Sequence, residues 1–222
     1  MKAVRFALLG ATFVVFTAFA QHAEHAAQQA APTADSVLAE LKAGNEHHAA
    51  KKYLHPHETP ARQRELASGQ HPHAAVLSCS DSRVPPEIVF DQGLGDVFVI
   101  RVAGNIAGQS ELGSLEYAAE HLHVPVIVVL GHQRCGGVTA AVEGGELPGH
   151  MPSIVNAIQP AVVKAKSMPG DLVDNAVHVN VAMVVDQLRG TKPVLSEAVD
   201  KHELRIVGAV YSLDTGRVEW LK

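Results

Sequence analysis

Cysteine is almost missing from this 222-residue chain, which has only Cys79 and Cys135. Two residues cannot form the multi-bridge framework of a small disulfide scaffold; they leave room for one bridge or one shared ligand duty. Aromatics are equally scarce at 5%, with a single tryptophan, Trp220, so Ala, Val and Leu must fill any core. Charged residues make up 18% and apolar ones 47%, a balance that excludes general disorder and allows a full hydrophobic core. The net charge of −5 lacks the clustered basic surface that nucleic-acid binding needs. There is no internal repeat, and nothing marks a second globular domain. Long apolar runs are confined to the first twenty residues.

Residues 1–20 place Lys2 and Arg5 before about fifteen apolar residues and end Ala18-Phe19-Ala20. That is the pattern of a cleavable signal peptide, with the mature protein starting near Gln21 and exported to a bacterial periplasm. An uncleaved anchor competes with this reading, but the run is short for a span, so no stable membrane anchor is expected after leader cleavage. Residues 21–34 form a low-complexity linker, where His22 and His25 read as solvated. The catalytic domain is expected over 35–222.

What is present in strength is a pair of short motifs. Residues 73–83 read H-A-A-V-L-S-C-S-D-S-R, and 131–137 read G-H-Q-R-C-G-G. Each follows a short apolar run, 74–77 and 124–130, of the kind that forms a buried parallel strand. Cys79, His132 and Cys135 would then stand on turns at two strand ends. Two thiolates and an imidazole suit Zn²⁺, one per subunit, and three protein ligands leave a fourth position open, as in catalytic rather than structural zinc. Asp81 and Arg83 follow Cys79 on its turn. The carboxylate could ligate the metal or take a proton, and the guanidinium could hold it. The competing readings are a Cys79–Cys135 disulfide and an ion pair that merely stabilises the turn.

C-S-D-S-R followed by a strand ending G-H-x-x-C-G-G resembles the β-class carbonic anhydrases, over most of the chain from about Ser36 onward. The resemblance implies reversible hydration of carbon dioxide to bicarbonate and a proton, through zinc-bound hydroxide with an Asp81/Arg83 dyad. It also implies a homodimer or tetramer with active sites near the subunit boundary, and Asp81 as a possible fourth ligand in a closed state. Zinc lowers the pKa of bound water towards about 7. Gln70, Phe98 and Tyr117 match in spacing the substrate-pocket residues of the plant-like subgroup; Val84 and the Gly136 amide are added as a slot wall and a donor. The other subgroup has a tryptophan three residues before the first cysteine, where this chain has Val76, so inhibition through its bicarbonate pocket is not expected. Arg134 either attracts bicarbonate or faces solvent. Two alternatives stay open: a zinc hydrolase of carbon disulfide or carbonyl sulfide, and a non-catalytic zinc-binding protein.

The remaining pattern predicts an α/β fold: a mostly parallel central sheet of about four strands, helices on both faces, a helical N-terminal arm and an antiparallel edge strand. The arm, 34–52, is expected as two helical pieces broken at Gly44-Asn45. Strands are expected at 97–102, 204–212 and 218–221, the last entered through an Asp214-Thr215-Gly216 turn. Helices are expected at 60–67, 111–121, 136–142, 154–166 and 172–188, with a short one at 85–90. The histidines at 47, 48, 55, 57, 71 and 73 read as exposed or capping.

Overall fold

The computed structural model describes residues 32–221. The signal-peptide reading and nearly all of the linker fall outside them. Among the described residues, no helix is long and apolar enough to cross a membrane.

Five strands form one sheet: β1 (Ala74–Ser78), β2 (Val97–Arg101), β3 (Val126–His132), β4 (Arg205–Tyr211) and β5 (Val218–Trp220), in the order β2-β1-β3-β4-β5. The first four run parallel, and β5 is antiparallel to β4. Every residue of β1 and β3 is buried, as their unbroken apolar runs required. Successive side chains alternate between two cores. Ala75, Leu77, Ile127 and Val129 face one core, while Ala74, Val76, Val128 and Leu130 face the other.

The first core is covered by α4 (Gln109–Glu120), α5 (Gly136–Glu143), α6 (Met151–Ala165), α7 (Leu172–Gly190) and α8 (Val194–Asp200). The second lies under α1 (Ala34–Ala50) and α3 (Pro86–Val89), with α2 (Pro60–Leu66) between these two in the chain. Thr33 caps α1 and Thr59 caps α2, each accepting a bond from the amide three residues on.

The arm departs from expectation: α1 is unbroken through Gly44-Asn45. Both residues serve docking. A Cβ on Gly44 would lie 1.8 Å from the Phe90 carbonyl oxygen, so glycine is what lets the helix sit so close to α3. The buried Asn45 amide donates to the Val89 and Gly216 carbonyls and accepts from the Val218 amide, fastening the arm to both α3 and the β4–β5 turn. The histidines also differ from expectation. His48 is buried, and His47 and His57 each bond a buried aspartate, Asp91 and Asp96. One helix, α8, has no counterpart in the sequence reading; it is only seven residues long and starts directly after Pro193.

Candidate metal centre

β1 and β3 are neighbours in the sheet, so their carboxyl ends deliver Cys79, His132 and Cys135 to one place. All three are buried, and their ligand atoms lie within 4.8 Å of one another. The sulfurs are 3.9 Å apart, almost twice a disulfide bond length, and both cysteines are free, so the competing disulfide reading fails.

The imidazole identifies its own open side. His132 Nδ1 donates to the Gln133 carbonyl oxygen at 2.9 Å, which leaves the lone pair on Nε2. That Nε2 is fully buried and has no hydrogen-bond partner. A buried polar atom without a partner costs about 1–3 kcal/mol, and a cation among the three ligand atoms would satisfy it. The donor set, two sulfurs and a neutral imidazole nitrogen, fits zinc.

The thiols behave as a pair. Cys79 is driven towards thiolate by a hydrogen bond from the Cys135 thiol, helped by the Gly104 amide and opposed by burial. Cys135 is pushed the other way by that bond, by burial and by the charge on Cys79. The pocket thus releases one proton readily and resists a second negative charge, a resistance that a bound cation reverses.

Asp81 lies beside this group, its Oδ2 3.7 Å from His132 Nε2. Arg83 grips the carboxylate with a fork: Nε to Oδ1 at 2.9 Å and Nη2 to Oδ2 at 2.7 Å. The Arg83 amide also donates to Oδ1, closing a tight turn. The guanidinium holds the Asp81 carboxyl well below the usual carboxylate range against the opposing effect of burial. Arg101, at the end of β2, went unremarked in the sequence. Its guanidinium donates to the Cys79 and Asp81 carbonyls and so fixes the whole turn. Its one signal was a charge closing an otherwise apolar strand.

Gln70, Phe98 and Tyr117 lie away from the sulfurs within their own subunit. Phe98 pairs with Ala75 across β1–β2. Four residues of strand rise, about 13 Å, therefore separate its level from Cys79. Tyr117 stacks near Phe98, with centroids 6.1 Å apart, and is 45% exposed. Gln70 is exposed in the loop before β1, also at the end away from the sulfurs. Val84 is fully buried in the core under α1, facing packed side chains rather than a slot. Gly136 opens α5 directly after Cys135 and is exposed. Arg134 forms a two-bond ion pair with Asp214, at 2.7 and 3.0 Å.

Comparison with known proteins gives the family. Residues 74–218 match the family model described as carbonic anhydrase. Carbonic anhydrase 2 of Mycobacterium tuberculosis is 42% identical over 181 residues, covering 80% of this chain and 87% of that protein. The carbonic anhydrase of Mycolicibacterium smegmatis is 42% identical over 185 residues, covering 81% and 89%. Among solved structures, a tetrameric β-carbonic anhydrase of Sordaria macrospora superposes with a TM-score of 0.68 at 26% identity, covering 84% of this chain and 97% of that one. Sulfurs, imidazole and forked carboxylate at the ends of a parallel sheet thus coincide with similarity over four-fifths of the chain: it belongs to the β-class carbonic anhydrases.

Proposed function

We propose that this protein hydrates carbon dioxide reversibly to bicarbonate and a proton, with one zinc ion per subunit held by Cys79, His132 and Cys135. The observation that carries the reading is the partnerless buried His132 Nε2 facing two sulfurs beside a forked carboxylate. When bound, zinc supplies Lewis acidity that makes water nucleophilic at neutral pH.

The chain's own residues supply orientation and charge. Asp81, kept ionised by Arg83, accepts a hydrogen bond at Oδ2 from the attacking water and fixes its direction. With that carboxylate ligating instead, the same turn would give the closed state. Arg101 keeps the turn from drifting. Gly136 is exposed at the start of α5, and its amide would be a donor for the growing charge on the substrate oxygens. Gln70, Phe98 and Tyr117 line a substrate slot only if a second copy brings them, because their own subunit holds them at the far end of β1. A homodimer or tetramer therefore belongs to the proposal. The half-exposed Tyr117 on the side of edge strand β2 supports it, as does the tetrameric state named for the Sordaria enzymes. A non-catalytic zinc site has no use for the Asp81–Arg83 fork, which favours the enzyme.

Stopped-flow hydration of carbon dioxide by zinc-loaded wild type and Asp81→Ala tests the reading. Activity is expected in the first, and strong loss at unchanged zinc content in the second; equal rates would overturn the role of Asp81. Export is proposed on the leader pattern alone. N-terminal sequencing of the periplasmic protein, expected to begin near Gln21, tests it.

A further inference from the structure

Helix α7 faces the first core with Ala176, Val177, Val181, Val184, Val185 and Leu188, and in the middle of this stripe stands one amide, Asn180, 3% exposed. Packing does not ask for it. Asn is a poorer helix former than Leu, and a buried amide is unfavourable unless bonded. Its Nδ2 donates to the Gly104 carbonyl oxygen at 2.9 Å. Gly104 lies in the turn after β2 (Ala103–Asn105) with φ +74, and a Cβ there would meet Ile158 at 2.6 Å. On its other side, the Gly104 amide donates to the Cys79 sulfur at 3.3 Å. One loop residue thus links a helix amide to a metal-ligand sulfur.

We propose that Asn180 is a positioning residue for the metal centre: by holding the Gly104 carbonyl it aims the Gly104 N–H at Cys79 Sγ and sets how much charge that sulfur gives the cation. The inference rests on the reading that Cys79, His132 and Cys135 hold a catalytic cation. An N–H bond draws charge from a thiolate, so its loss makes the sulfur a stronger donor. Arg101 already fixes the backbone of Cys79 from the β2 side, which leaves Gly104 to act on the sulfur itself.

Cobalt(II)-loaded protein gives a readout independent of turnover. Asn180→Leu is expected to bind one cobalt per chain, as wild type does, with its sulfur-to-cobalt charge-transfer band shifted to lower energy. In the zinc form its hydration rate should fall by about tenfold, in the range typical of residues that orient metal ligands. Val184→Ala loosens the same helix face without touching Gly104 and should leave the band in place. An unmoved band in Asn180→Leu, or an equal shift in Val184→Ala, overturns the proposal. Should Asn180→Leu fail to fold, Asn180→Ser shortens the reach to the carbonyl and is measured with ¹¹³Cd bound. The scalar coupling from cadmium to the Gly104 amide proton, expected in wild type, should weaken; no coupling in wild type, or equal coupling in both, overturns it. Wild type that shows the coupling but does not hydrate carbon dioxide would sink the proposed function and leave the Asn180 link standing.

Discussion

Two buried histidines make opposite use of the same side chain. His48 in α1 bonds the Tyr211 hydroxyl through Nε2 at 2.8 Å and the Tyr53 hydroxyl through Nδ1 at 2.9 Å. His132, the β3 residue paired with Tyr211 in the sheet, bonds a carbonyl through Nδ1 and leaves Nε2 without a partner. A neutral imidazole has one donor and one acceptor, and two hydroxyls satisfy both. His48 is therefore complete as it stands, a peg that joins the N-terminal arm to the sheet. His132 is incomplete, and what it faces is two sulfurs. Burial alone does not separate a structural histidine from a metal ligand; the unpaired nitrogen does.

The largest effect expected from this contrast is on metal. His132→Ala should lose zinc and reduce hydration by more than about 100-fold, beyond the 10–100-fold typical of residues that only orient a ligand. Zinc content and stopped-flow rates check it. Stability should rank the two sites in reverse. His48→Leu strands the buried Tyr211 hydroxyl and is expected to cost about 1–3 kcal/mol in urea unfolding while zinc content stays at one per chain. In metal-free protein, His132→Leu gives up one hydrogen bond, from Nδ1 to the Gln133 carbonyl, and a nitrogen that has none, whereas His48→Leu gives up two, so His132→Leu should cost less than His48→Leu. A larger cost for His132→Leu would break the comparison.

The contrast extends to pH. Burial lowers the His48 pKa, with the Lys51 charge adding to the effect. The unfolded chain then binds a proton at this residue that the folded protein resists, so stability falls as pH drops below about 6.5. His48→Leu should flatten that slope, as read from urea midpoints between pH 7 and 5. Asp81 acts lower down. Its carboxyl is depressed by Arg83, so its contribution is complete above the unfolded carboxylate pKa of about 3.9 and is lost only as pH falls below it. Asp81→Asn should leave the pH 7 to 5 profile unchanged.

The sequence carried the Cys79–His132–Cys135 cluster because its residues are chemically unlike their surroundings: of the chain's only two cysteines, one directly follows β1 and the other lies three residues past the end of β3. It carried the sheet for a related reason, since fully buried parallel strands read as unbroken apolar runs. It misled at Gly44-Asn45, because a helix breaker and a close-approach residue are the same amino acid, and only the Phe90 carbonyl 1.8 Å from the missing Cβ tells them apart. Asn180 and Arg101 were silent because their partners, Gly104 and the Cys79 carbonyl, are backbone groups distant in the chain that leave no mark on composition or periodicity. Spacing located Phe98 and Tyr117 as a pair but did not show that one subunit keeps them about four residues of strand rise from the sulfurs.

The smallest expected effect concerns the one cation on the ligand loop. Arg134 sits between His132 and Cys135 at a φ of +52, and its guanidinium is taken by Asp214 on the β4–β5 turn. Both partners are more than half exposed, so the pair adds little to stability, and Arg134→Ala should leave the urea midpoint unchanged. Its charge is also largely cancelled where bicarbonate would sense it, and Arg134→Ala should therefore leave the KM for bicarbonate dehydration unchanged. Asp214→Ala does the opposite. It frees a guanidinium close enough to Arg83 for the two to repel, and that added positive field should lower the KM for bicarbonate at low ionic strength, by about twofold or less. The gain should vanish near 0.15 M salt, where the screening length falls to about 8 Å. A KM that rises in Arg134→Ala instead would mean that the ion pair opens for substrate, and that the ligand loop has a working cation after all.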